Sequence, residues 1–422
     1  ICWDEQSNRT VAHGWRKAGL RHAGQTRRAQ KLSACIPDTM RNACKKYGHT
    51  PCAGDCNETV LPLSNSARTP MSLRPRLATA PLLDVSDRHA RYFWRLLSRQ
   101  VLLYTEMINM GAICRGAAES HLRYNGEEHP VALQLGGSDP AMLAHSARMG
   151  EQWGYDEVNL NCGCPSDRVQ RGAFGACLMR EPQRVAECIK AMQDAVQHVP
   201  VTVKHRIGLD QDESYGLVRD FVGTLAEAGC RHFIVHARNA WLQGLSPHEN
   251  RSVPPLRYEV AYRIKRDFPA LHITLNGGVV SSEDIVGHWQ HVDAVMVGRA
   301  AWHTPWMLAQ WDALMDADRQ QSEGQPLPGR ILPAVPKETQ AAISREIVEE
   351  QMVQYMEREA VQHATSWPTI ARCMLGLRHG LRGARRWRQV WSDHRLKHLP
   401  PREVWRLAHL PANTEPEGLE ES

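Results

Sequence analysis

The sequence predicts an α/β fold: a (β/α)8 TIM barrel followed by a small all-α helical domain. Three features predict it. Eight short apolar runs fall between residues 78 and 300, alternating with stretches whose apolar residues recur at helical spacing. Nearly every run ends on a chemically capable side chain, and in a closed barrel those ends converge on one mouth. Past a segment dense in Pro, Gly and Gln, the pattern is helical only. An open doubly wound sheet would also alternate, but it usually needs fewer strands and would spread the polar ends along a line.

Residues 1–75 are polar and irregular, rich in Arg, Lys, Ser, Thr and Cys, and read as a disordered or non-native extension. Cys44, His49, Cys52 and Cys56 resemble zinc-knuckle spacing. The two ligand pairs lack the loop a finger carries between them, so no metal site is expected. The barrel is expected over 76–315. Its strands are ATAPLLD (78–84), VLLYTEMI (101–108), VALQLGG (131–137), DEVNLN (156–161), VTVKHRI (201–207), HFIVHAR (232–238), HITLNGG (272–278) and AVMVGRA (294–300). Segments such as AMLAHSARMGEQWG and PQRVAECIKAMQDAV lie between them, with apolar residues at i, i+3, i+4 and i+7. A linker at 316–337 leads to the helical domain at 338–410, and a disordered tail closes the chain at 411–422.

Composition sets the class. Charged residues at 23% and hydrophobic ones at 42% are ordinary for a globular domain. No run of eighteen apolar residues exists, so no membrane span is expected. Twelve cysteines without framework spacing, and no signal-peptide pattern, point to reduced thiols and a cytoplasmic chain. A net charge of +5 says little about partners, but its distribution says more. Ten Arg or Lys face two acidic residues between Ala371 and Ala408, interleaved with Trp387, Trp391 and Trp405. The Arg382–Arg388 cluster is a basic face that is either solvated or able to contact phosphates, and the tryptophans read first as bundle core.

The segment NLNCGCPSDRVQRGAFGACLM (159–179) leaves a strand at Asn161 and turns through Gly163 and Pro165. Cys164 is thereby held on a turn at the barrel mouth, where a protonated thiol can act as an acid. On the residues alone a structural thiol is an equal reading. Cys162, two residues away, makes a Cys-x-Cys pair that is a weak metal signal. Lys204 and His236 end the fifth and sixth strands, and with Gln134 they could cradle a flavin whose reduced ring gathers negative charge. A barrel-end lysine is otherwise simply solvated. Asn276, Gly277 and Gly278, together with Gly298 and Arg299, fall where barrels commonly bind phosphate through glycine-exposed N–H groups.

At these residues the sequence resembles the tRNA-dihydrouridine synthases, and within them the bacterial A-type subfamily. The likeness runs from about Ala78 to Ala408 through PLLDVSDRHARYFWRLLSRQVLLYTEMI, NLNCGCPSDRVQ, VTVKHRIGLDQDESY, HARNAWLQGLSPHENRSVPPL, LNGG, VMVGRA and ARCMLGLRHGLRGARRWR. The resemblance implies FMN and NADPH as cofactors and tRNA as the partner, with no stable protein partner. It implies hydride transfer from reduced flavin to uracil C6 and protonation of C5 by Cys164, at D-loop uridines 20 and 20a. It places cofactor contacts on Pro81, Leu82, Leu83, Gln134, Lys204, His236, Asn276, Gly277, Gly278, Gly298 and Arg299, and tRNA contacts on Asn161, His248 and Arg251. Two departures stand out. Leu82 occupies a position usually held by Met, a volume-conserving change. The first 75 residues have no family counterpart, and Met71 is the expected native start.

Overall fold

The computed structural model describes residues 76–116, 118–322 and 343–410. The N-terminal extension with its knuckle-like Cys and His, residues 323–337 of the expected linker, and the C-terminal tail lie outside the described residues. Each apolar run forms a strand: β1 Leu77–Thr79, β2 Leu103–Asn109, β3 Val131–Gly136, β4 Glu157–Cys162, β5 Val201–Arg206, β6 His232–His236, β7 His272–Asn276 and β8 Ala294–Val297. They pair in parallel in the order β1-β8-β7-β6-β5-β4-β3-β2. The ring is drawn together between β1 and the start of β2, where Thr79 donates to the Leu102 carbonyl and Leu102 to that of Leu77, both at 3.0 Å. This is a (β/α)8 barrel.

Strand alternation sorts the side chains into two populations. Val158, Leu160 and Cys162 of β4, Val203 of β5 and Phe233 and Val235 of β6 join the large core between strands and helices. The intervening residues point inward. Ala78, Leu102, Tyr104, Ala132, Ile234 and Met296 form a second, smaller apolar cluster inside the barrel. Beside it, Glu157 accepts from Thr202 at 2.6 Å and from Tyr104, and Asn159 donates to Thr202 at 2.8 Å. Every barrel interior needs such partners when it buries polar groups.

The helices that matter here are α1 (Arg88–Leu97), α2 (Pro140–Trp153), α3 (Pro182–Ala195), α4 (Tyr215–Glu227), α5 (Tyr258–Asp267), α6 (Ser282–His288) and α7 (Trp311–Ser322). Asp87 caps α1 by accepting from the His89 and Ala90 N–H groups at 3.0 and 2.9 Å. Helix α7 continues to Ser322, beyond the expected start of the linker at 316. Its second half is tied to the barrel: Asp316 accepts from Gln100 at 2.9 Å and buried Asp318 pairs with Arg76 at 2.6 Å. Those polar anchors carry the helix through residues whose composition reads as linker.

The C-terminal region is helical, with α8 (Arg345–His363), α9 (Ala384–Trp391) and α10 (Pro401–His409); a short helix (Trp367–Ala371) and the 3-10 turn Arg372–Met374 lie between α8 and α9, and the 3-10 turn His394–His398 lies between α9 and α10. It packs directly on α1. Tyr355 stacks on Tyr92 with ring centroids 4.0 Å apart, and its hydroxyl lies 2.7 Å from Nδ1 of His89. Trp387 and Trp391 are buried at the centre of the region, and Trp387 donates to Glu349 at 3.2 Å. They serve as core, as their spacing suggested, whereas Trp405 is only half-buried.

Candidate active site

Because all eight strands run in parallel, their C-terminal ends share one face, and a cavity of about 570 Å³ opens there. Pro81, Leu82, Leu83, Gln134, Asn161, Cys164, Lys204, His236, Arg251, Asn276, Gly277, Gly278, Gly298 and Arg299 all line it. Of the catalytic, cofactor-contact and tRNA-contact residues that the resemblance implied, His248 lies off the wall, exposed beside Pro247.

Cys164 sits on a turn that its neighbours build. The Asn161 side-chain oxygen accepts from the backbone N–H groups of Gly163 and Cys164, both at 3.0 Å. Asn161 is itself oriented by donating to Gln134 at 2.8 Å, and Gln134 donates to Asn159 at 2.8 Å. On the far side, the Cys164 carbonyl accepts from Ala176 N–H at 2.9 Å. Gly175 makes this approach possible. It has φ +78°, and a Cβ there would meet the Cys164 carbonyl oxygen at 2.6 Å. The Cys164 thiol is half-buried, with the Ser166 hydroxyl 3.5 Å away. Cys162, by contrast, is fully buried on the helix-facing side of β4.

The wall beside this turn is cationic, because β5 pairs with β4 in the register Asn161 to Lys204. Lys204, Arg206, His236, Arg251 and Arg299 line it, while Glu106 is the sole acidic residue among the described residues of the wall. Burial, and then the Arg206 charge, push the Lys204 ammonium down to about 7. Burial, followed by Arg206 and Lys204, holds His236 well below the usual imidazole range, so its ring stays neutral. Burial raises the Glu106 carboxyl, with Asp87 adding to the effect. This wall carries positive charge without matching carboxylates, which favours an anionic occupant.

The turn after β7 is shaped for close approach. Gly277 has φ +117°, and a Cβ there would meet His236 Cδ2 at 2.8 Å; Gly278 has φ +71° and would meet Tyr258 Oη at 2.5 Å. Asn276 fixes this end by donating to the Met296 carbonyl of β8 at 2.8 Å. The cavity also includes residues that the sequence reading did not single out. Arg206 lies two residues after Lys204 on the same face of β5, so strand periodicity could have found it. Its guanidinium donates to the carbonyls of Gly163, Asn239 and Asn250 at 3.1, 3.0 and 2.9 Å. His121 comes from a short helix (Ala118–Leu122) in the excursion between β2 and β3, where no periodic signal pointed. Among the described residues no cluster of His, Cys, Asp or Glu could hold a metal ion, and no helix is long and apolar enough to cross a membrane.

Comparison with known proteins adds the lineage. The family model described as dihydrouridine synthase (Dus) matches residues 78–404. A tRNA-dihydrouridine(20/20a) synthase of Shewanella oneidensis is 48% identical over 353 residues, covering 84% of this chain and 98% of that protein. The protein of the same description from Synechocystis sp. is 50% identical over 325 residues, covering 77% of this chain and 90% of its own. The Escherichia coli (strain K12) protein so described is 50% identical over 323 residues, covering 76% and 87% respectively.

Proposed function

The chain belongs to the dihydrouridine synthase family, and from that premise we propose that it reduces the C5=C6 bond of uridines 20 and 20a in tRNA, in the cytoplasm, with FMN as resident cofactor and NADPH as reductant. The observation that carries the reading is Cys164, on a braced turn, sharing one cavity with a cationic wall that has no matching carboxylates. The residues fit a flavin mononucleotide. The cavity volume, about 570 Å³, falls in the range of cofactor sites. Gly277 and Gly278 line the cavity at positive φ, where a Cβ would collide with His236, Leu256 and Tyr258, and Glu106 is the one carboxyl among the described residues of a wall that holds Lys204, Arg206, Arg251 and Arg299.

When bound and reduced by NADPH, FMN supplies the hydride that uracil C6 receives. This chain's residues do the rest. Lys204 and neutral His236 would hold the flavin's electron-rich edge, and Gln134 its polar ring atoms. Asn276, Gly277, Gly278, Gly298 and Arg299 would hold its phosphate. Cys164 keeps a proton on Sγ and delivers it to C5, completing the addition of one hydride and one proton across the double bond. Asn161 and Arg251, and beyond the cavity wall His248, would meet the RNA, which must present its base extruded from the stack. The basic face of the helical region supplies sequence-tolerant phosphate contacts.

Cys164→Ala should bind FMN and remain yellow while dihydrouridine formation falls by about 10²–10⁴-fold, the usual worth of a general acid. Nucleoside analysis of tRNA incubated with the variant checks this. Undiminished dihydrouridine would remove Cys164 from the chemistry.

A further inference from the structure

Arg372 belongs to the basic stretch of the helical region, yet its guanidinium turns to the barrel. It sits in a short turn (Arg372–Met374) directly after the buried helix Trp367–Ala371. One Nη donates to the Asp84 carbonyl at 2.9 Å, and the other pairs with the Asp87 carboxylate. Both partners lie on the segment that links the cavity wall to α1. Pro81, Leu82 and Leu83 of that segment face the cavity, and Asp87 caps the helix.

The segment needs an outside support. Asp84 holds φ 60°, a left-handed conformation that a non-glycine residue keeps only where its surroundings enforce it. Its own internal bonds are local: Ser86 Oγ meets the Leu82 N–H and carbonyl at 2.9 and 3.1 Å. Glu106 approaches from β2, accepting from the Asp84 backbone and adding a third carboxyl near Asp84 and Asp87. The neighbouring Arg91 braces the end of the segment at the Ser86 carbonyl, at 2.7 Å, and pairs with Glu128 at 2.5 Å, leaving the Asp84 carbonyl and the Asp87 carboxylate to Arg372. Arg372 is the guanidinium that spans the carbonyl of one loop aspartate and the carboxylate of the other. The first turns of α1 are seated on the same neighbours, through Arg88 on Glu359 and the Tyr92–Tyr355 stack.

We propose that Arg372 is a positioning residue through which the helical region sets the flavin-facing wall formed by residues 81–83. This rests on the flavin reading above. The side chain acts through Asp84 and Asp87 and does not itself touch the cofactor. The test pairs flavin titration with amide hydrogen exchange on the full chain. Arg372→Ala should weaken FMN binding about tenfold, because the wall is no longer held in its binding shape. Exchange should rise in peptides covering 82–87 and stay at the parent level in β5 and β6. Arg372→Lys should fall between parent and Ala, because a point charge keeps the Asp87 pair but not the two-point geometry. Parental FMN affinity in Arg372→Ala would overturn the proposal, whether or not the loop exchanges faster. So would loosening spread evenly across the barrel. A parent protein that binds no FMN would instead overturn the flavin reading, and this inference with it.

Discussion

Lys204 shows what placement does to an ordinary side chain. Alternation along β5 turns it inward, and burial beside Arg206 brings its proton loss down to about 7. The electron-rich edge of the flavin, accepting from its ammonium, favours the charged form, so binding above pH 7 must take up a proton. FMN affinity should therefore fall as pH rises from 7 toward 9, by at most about tenfold per unit. Lys204→Met should bind more weakly at pH 7 and lose that slope; fluorescence titration across pH checks both. Lys204, His236 and Gln134 were legible in the sequence because a strand-end residue in a parallel barrel has one place to go. Arg206 carried the same signal at the next inward position. His248 rested on resemblance, and its side chain lies outside the cavity wall.

At the scale of elements, the turn after β4 joins chemistry to backbone geometry. Gly175→Ala would drive a Cβ to 2.6 Å from the Cys164 carbonyl and 2.4 Å from Val169, at φ +78°. We expect a loss of about 1–3 kcal/mol of stability and a larger fall in turnover than in FMN affinity, because the Cys164 turn must shift. Thermal melts with parallel FMN titration measure this. All eight strands were legible as short apolar runs, although β1 stops at Thr79 and β8 at Val297, short of the ends of the runs 78–84 and 294–300. Helix α7 was harder to bound. Its last turns are fixed by Asp316 and Asp318 reaching Gln100 and Arg76, partners remote in sequence. Long-range polar anchors leave no trace in local periodicity.

For the molecule as a whole, counting charges overstates the basic surface that the helical region offers to the proposed RNA substrate. Of the ten basic residues between Ala371 and Ala408, Arg372 serves the barrel, and Arg378 pairs with Glu346 and Glu349. Arg395 pairs with Asp393, and Arg402 with Glu350 and Glu357. Arg382, Arg385 and Arg388 stay exposed around the buried Trp387. Replacing these three with Gln should weaken tRNA binding and flatten the dependence of log affinity on log salt by roughly 2–3, with FMN affinity unchanged. Filter binding across salt concentrations measures the slope. Sequence composition revealed the charge excess, but not which cations the fold consumes internally.

Strand alternation also has a redox consequence for the thiols at 162 and 164. Cys164 faces the cavity while Cys162 is sealed beneath the helices. An oxidant small enough to enter would meet one sulfur, and Cys162 could not act as its resolving thiol. Damage at Cys164 would then rest at the sulfenic acid or climb to irreversible sulfinic and sulfonic acids, without capture as a vicinal disulfide.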